Sequence, residues 1–136
     1  MTVKKVLNFK GNALYKTSSD TSLLTAIDSL NYYNVGALMV MEDNRIEGII
    51  TERDILRALS KHKGELLNLS VSDIMTTDLI TCDVNDSLET LMDMMTESHI
   101  RHLPVLEAGN LVGIISIGDI VESLLHRRER EKSHEN

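Results

Sequence analysis

Cysteine, proline and tryptophan are almost missing from this 136-residue chain, which has one Cys, one Pro and no Trp. A solitary Cys82 excludes an intrachain disulfide and a thiolate metal cluster, and leaves a small buried hydrophobe as its ordinary use. Aromatics are limited to Phe9, Tyr15, Tyr32 and Tyr33, so the core must be aliphatic and filled in part by the seven methionines. No apolar run approaches the roughly 20 residues of a membrane span, and MTVKKVLNFKGNALY holds nothing of signal-peptide length. A cytoplasmic protein with no membrane partner is the expectation. Positive charge is in deficit, 14 Lys and Arg against 21 Asp and Glu for a net −7. Such a surface disfavours nucleic acid as a partner, because a polyphosphate backbone is repelled unless the cations are gathered in one patch.

The chain is otherwise ordinarily globular, 42% apolar and 26% charged, and it contains a repeat. GIITERD at 48–54 is followed by GIISIGD at 113–119, an offset of 113 − 48 = 65. Sliding the chain on itself by that offset, from Leu14/Leu79 to Leu59/Leu124, gives about 14 identities in 46 positions, against about three expected by chance. Two copies suit a pseudo-two-fold unit better than an array.

Each copy reads β-α-β-β-α, a mixed α/β class. An extended stretch (Ala13 to Lys16; Leu79 to Cys82) enters a polar turn. Helical spacing follows, with Leu23, Ile27 and Leu30 in the first copy and Leu88, Leu91, Met92 and Met95 in the second. Asp86 with Glu89 reads as a capping box for that second helix. Two apolar runs split by EDNR or EAGN make a strand pair, and helices at about Glu52 to Lys61 and Ile117 to His126 close the copies. The organisation is a first repeat at 10–62, a linker at 63–75 with a short helical turn at Val71 to Met75, a second repeat at 76–126, and a charged tail at 127–136. In that tail Glu129, Glu131 and Glu135 nearly cancel Arg127, Arg128, Arg130 and Lys132, and it reads as a frayed extension of the final helix or a disordered tail.

T-E-R-D and S-I-G-D admit two readings. A hydroxyl followed three residues later by an acid is a capping box that starts a helix. The same groups suit a phosphorylated ligand. Free N–H groups and the helix dipole favour phosphate, Thr51 or Ser116 can donate to it, and Asp54 or Asp119 can accept from two ribose hydroxyls. Both uses are compatible. His99 and His102 form an HxxH, but zinc needs more ligands than this spacing supplies, so no metal is expected. No catalytic triad can be proposed from spacing, and no P-loop is present.

The β-α-β-β-α repeat, the paired G-h-h-[ST]-x-x-D signatures, VSDIMT between them and RHLPV before the last strand pair strongly resemble a tandem cystathionine β-synthase (CBS) domain pair, or Bateman module, of the stand-alone single-pair type. The resemblance covers about residues 10 to 126. It implies a non-catalytic sensor that binds AMP, ADP or ATP, and in some members S-adenosylmethionine or NAD, in clefts between the repeats, with no catalytic cofactor. By position, Asp54 and Asp119 would hold ribose hydroxyls and Thr51 and Ser116 phosphate or ribose. Arg101 and His102 would contact phosphate. Their first-repeat counterparts are Gly36 and Ala37, which offer no polar side chain, although Arg53 adds a charge beside Asp54. Adenine would lie near Lys16 and Thr17 or Thr81 and Cys82, with Ile100 as a wall. The resemblance further implies a homodimer built through helices and an unidentified regulated protein. The rival is an adaptor or dimerisation module whose nucleotide sites are vestigial.

Overall fold

The computed structural model describes residues 1–11 and 13–135. Along the chain run α1 (Val3–Lys10), β1 (Lys16–Thr17), α2 (Leu23–Tyr33), β2 (Ala37–Glu42), β3 (Arg45–Thr51) and α3 (Glu52–His62). A 3₁₀ segment (Lys63–Asn68) leads to α4 (Val71–Ile74), then β4 (Cys82–Asp83), α5 (Leu88–Ser98), β5 (His102–Glu107), β6 (Asn110–Ser116) and α6 (Ile117–Glu135). They form two compact units, Leu14–Leu79 and Met1–Ala13 with Ile80–Asn136.

Each unit carries a three-stranded sheet, β1-β2-β3 or β4-β5-β6, in which the short first strand runs parallel and the third antiparallel to the middle one. Two-residue turns join the long strands, with Asp43 at φ 54° and Ala108 at φ 51° in the left-handed region. Both pairs shift register once, between Val40 and Met41 and between Val105 and Leu106. One asymmetry comes from the single proline. Met39 N–H donates to the Tyr15 carbonyl at 3.1 Å and lengthens the β1 ladder, whereas Pro104, 65 residues on, has no N–H to give.

The helices over the sheets start and stop on local chemistry. Ser22 caps α2 by accepting from Thr25 N–H, and Asn34 ends it in the left-handed conformation. Ser87 does the same for α5 by accepting from Thr90 N–H, with His99 as the left-handed stop. This corrects the Asp86–Glu89 capping box: the Asp86 carboxylate instead accepts from Asp83 N–H at 2.9 Å and tightens the preceding turn. His99 of the HxxH thus has a structural place.

Burial follows the expected apolar stripes except at Met92, which lies at the edge of the α5 stripe and is 44% exposed. Leu23, Ala26 and Leu30 of α2 meet Leu38, Val40 and Ile50 from the sheet. Leu88, Leu91 and Met95 of α5 meet Leu103, Val105 and Ile115. The extended stretches expected at Ala13 to Lys16 and Leu79 to Cys82 are strand only at Lys16–Thr17 and Cys82–Asp83. The short helical turn expected in the linker is α4, but the segment is more than a linker: it forms a 3₁₀ turn as well and puts the fully buried Val71 into the core of the Leu14–Leu79 unit. The first residues, to which the repeat pattern assigns no element, form α1 and place Val3, Val6 and Leu7 in the core of the other unit.

These two additions are equivalents of each other. Val3 N–H donates to the Asp86 carbonyl and Lys4 N–H to that of Val84, just as Val71 N–H donates to Thr21 and Ser72 N–H to Ser19. The offset here is 71 − 3 = 68, three more than in the main repeat, so the 65-residue comparison does not align them. At the other end, α6 runs on through the charged segment as helix to Glu135.

Candidate functional site

The two signatures sit where β3 passes into α3 and where β6 passes into α6. In the Leu14–Leu79 unit, Thr51 caps α3. Asp54 N–H donates to Thr51 Oγ1 at 3.3 Å, while Asp54 Oδ2 accepts from Thr51 N–H at 2.9 Å and from the Thr51 hydroxyl at 3.1 Å. A third bond comes from outside the motif, with the Thr76 hydroxyl donating to Asp54 Oδ1 at 2.9 Å. Asp54 is buried, 7% exposed. Its two oxygens already accept three of the roughly four bonds a carboxylate can take.

In the other unit the box repeats with different support. Asp119 N–H donates to Ser116 Oγ at 3.0 Å, and Asp119 Oδ2 accepts from Ser116 N–H at 2.8 Å. The outside partner is now the Lys10 ammonium, 2.9 Å from the same oxygen, which also donates to the Ile114 carbonyl at 2.7 Å. Among the described residues Asp119 thus accepts two hydrogen bonds, both on one oxygen, and its side chain keeps 20% exposure. The Ser116 hydroxyl accepts here, so its own proton is available to donate.

The glycine three residues before each hydroxyl has a packing explanation. A Cβ on Gly48 would lie 2.6 Å from the Thr76 carbonyl oxygen, because the 76 segment bridges onto Ile49 with N···O distances of 2.9 Å each way. A Cβ on Gly113 would meet a Leu7 methyl at 3.1 Å. Both glycines make room for the segment that covers the strand, so their recurrence is not a phosphate-loop signal.

Arg101 is exposed, and its carbonyl accepts Ile117 N–H at 3.0 Å, which fixes it at the first turn of α6. Gly36 serves Glu52 N–H in the same way at 3.1 Å. His102 pairs with Ser116 across β5 and β6, as Ala37 pairs with Thr51 across β2 and β3. The structure therefore gathers Arg101, His102, Ser116 and Asp119 at one strand-to-helix junction, and Thr51, Arg53 and Asp54 at the other. Arg53 is exposed on the first turn of α3.

The adenine candidates fare differently. Cys82 on β4 is 4% exposed within the core, so its thiol faces apolar neighbours and only its main chain is left for a ligand. Burial, with Asp86 and then Asp83 adding negative charge, pushes that thiol up to about 12. Ile100 is half-buried and packs against the same core. Thr81 precedes β4 and is half-buried. Lys10 and Thr76, which complete the two carboxylate sites, were not read as site residues in the sequence: Thr76 ends the VSDIMT stretch and Lys10 lies 109 positions from Asp119, and no spacing ties either to its carboxylate.

Comparison with known proteins matches residues 13–61 and 71–126 to the CBS domain. A CBS domain-containing mitochondrial protein of Arabidopsis thaliana, CBSX3, is 36% identical over 140 aligned positions, spanning 96% of this chain and 68% of that protein. A CBS-domain containing protein from Agrobacterium tumefaciens superposes with a TM-score of 0.87 at 38% identity, over 90% of this chain and 98% of its own. The CBS domain pair of protein MJ0100, solved with 5′-methylthioadenosine and S-adenosylmethionine, superposes with a TM-score of 0.81 at 25% identity, over 93% and 98%.

Proposed function

The chain belongs to the CBS domain family, and from that premise we propose that it is a non-catalytic sensor module that binds adenosine-containing ligands, AMP, ADP or ATP foremost, at its two hydroxyl-and-carboxylate signatures. The observation that carries this reading is the state of Asp119. It is held in place by Ser116, yet it keeps one carboxylate oxygen and partial exposure for the hydroxyls of a ribose. Arg101, His102 and the Ser116 hydroxyl at the same junction supply donors suited to phosphate. Adenine then lies against the main chain at Thr81 and Cys82, beside Ile100. The ligands solved with the MJ0100 pair, 25% identical to this chain, support an adenosine group.

The first signature is the weaker site in this reading. Asp54 already accepts three bonds, and Gly36 and Ala37 offer no polar side chain where the second repeat has Arg101 and His102. Thr51, whose hydroxyl both donates to and accepts from Asp54, serves the cap first, and Arg53 supplies charge there. A homodimer, a regulated protein partner and a cytoplasmic location belong to the same reading.

A thermal-shift panel of AMP, ADP, ATP, NAD, NADH and S-adenosylmethionine tests the class, because a ligand bound by the native state raises the melting temperature. Calorimetry on folded Asp119→Ala and Asp54→Ala proteins then tests the site. A charge-assisted hydrogen bond contributes about 1.5–3 kcal/mol, so Asp119→Ala should weaken binding roughly 10- to 150-fold, and Asp54→Ala by less. Unchanged binding by Asp119→Ala would leave that residue as a helix cap only. A panel in which nothing shifts the midpoint would transfer the assignment to an adaptor or dimerisation module, for which each unit offers exposed apolar side chains, Leu56 and Leu59 in one and Val121 and Leu124 in the other.

A further inference from the structure

Lys10 stands where the other unit uses Thr76. In the Leu14–Leu79 unit, Thr76 N–H donates to the Ile49 carbonyl and its hydroxyl donates to Asp54. Sixty-five residues on, the Ile114 carbonyl and the Asp119 carboxylate both receive their bonds from a single ammonium, at 2.7 and 2.9 Å, and it lands on Oδ2, the oxygen the cap already uses, whereas Thr76 takes the oxygen the cap leaves. The accepting residues correspond across the two units, but the carboxylate oxygen used and the charge of the donor differ. Asp54 is held by neutral donors, the N–H and hydroxyl of Thr51 and the hydroxyl of Thr76, whereas Asp119 is half of an ion pair whose side chains are 25% and 20% exposed.

We propose that Lys10 is a specificity-determining residue of the second signature, making it prefer adenosine that carries a 5′-phosphate over adenosine compounds that carry no anion there. A phosphate brought toward a bare carboxylate meets like charge, whereas one brought toward an ion pair meets a neutralised site. The ammonium has three donors and two are engaged, which leaves one for a phosphate oxygen. Arg101 on the same junction adds a second cation. Lys10 is also the last residue of α1, a helix anchored in this unit by Val3, Val6 and Leu7. Its charge is therefore delivered from a fixed element.

This inference rests on the reading that the signatures bind adenosine ligands, and the experiment separates the two. ADP and 5′-methylthioadenosine are titrated by calorimetry into the full chain and its Lys10→Met and Lys10→Arg variants. Backbone amide shifts of Ser116 and Asp119 report occupancy of the second signature. Lys10→Met should lose about tenfold or more in ADP affinity while 5′-methylthioadenosine changes less than about twofold, and Lys10→Arg should recover most of the loss. Equal losses for both ligands would make Lys10 a structural tether, and no loss for either would give it no part in binding; each overturns the proposal alone. If neither compound moves the Ser116 and Asp119 amides of the parent, the adenosine reading falls and takes the proposal with it.

Discussion

Ser123 buries a hydroxyl on α6, 2% exposed, for which the described residues offer no hydrogen-bond partner. The equivalent residue 65 positions earlier is Ala58, buried at 4% on α3, so the first repeat carries the apolar version of the same helix position. An unmet buried polar group costs about 1–3 kcal/mol. Ser123→Ala should therefore stabilise the protein by about 1 kcal/mol, read as a higher midpoint in urea at unchanged m-value. A lower midpoint would show that the hydroxyl has a partner in solution. Cys82 makes a second prediction at this scale. Its thiol ionises at 9.0 when unperturbed and at about 12 in the folded protein. Between those values the unfolded chain has lost a proton that the folded chain retains, so stability falls as pH rises. From about pH 8 to 10 the parent should lose stability faster than Cys82→Ala, and parallel curves would contradict the burial of the thiol.

Helix α6 raises a question at the scale of the element. The repeat pattern ends it near His126, and of the two readings of the charged segment beyond, helix extension or disordered tail, the structure has the first, with the helix continuing to Glu135. Arg127 and Glu131 pair at 3.2 Å on its surface, 54% and 64% exposed, and an exposed pair four residues apart is worth only about 0.3–0.5 kcal/mol. The last anchor before that extension is the ring contact of His126 with Phe9 on α1, 4.5 Å between centroids. Truncation before Arg127 should leave adenine-nucleotide affinity within about threefold and shift the melting midpoint by no more than a few degrees. A large loss of affinity would mean that the extension covers the ligand. Helix α1 is the opposite case. It is short, but its buried Val3, Val6 and Leu7 make it part of a core and no accessory.

For the whole molecule, the exposed apolar side chains repeat with the fold. Leu56 and Val121, 65 residues apart, are 65% and 51% exposed, and Leu59 and Leu124, also 65 apart, are 45% and 39% exposed. Helices α3 and α6 therefore each present an apolar stripe that their own unit leaves uncovered, and contiguous exposed apolar surface marks interaction sites. A homodimer through these stripes is the expected state in solution. Sedimentation should give twice the mass of the 15.3 kDa chain at tens of micromolar. The double substitution Leu56→Glu with Val121→Glu should shift it to monomer while the melting transition persists. A parent that sediments as a monomer would place these stripes against a different partner.

The β-α-β-β-α order, the two apolar cores and the two signatures were legible in the sequence because each rests on local chemistry or on periodicity. Side-chain spacing fixes which face is buried, and a hydroxyl with an Asp three residues on starts a helix wherever it occurs. The recurrence at 65 residues needed only two copies to be seen. What completes the carboxylates could not be read that way. Lys10 reaches Asp119 across 109 positions and Thr76 reaches Asp54 across 22, and neither spacing carries a periodic trace. The membership of α1 and the 63–79 segment in their units was hidden for the same reason, since a 68-residue offset falls out of register with the repeat. Gly48 and Gly113 show the division most plainly. Their recurrence was visible in the sequence, but its cause is the close approach of a distant segment, and only the packed fold decides which segment that is.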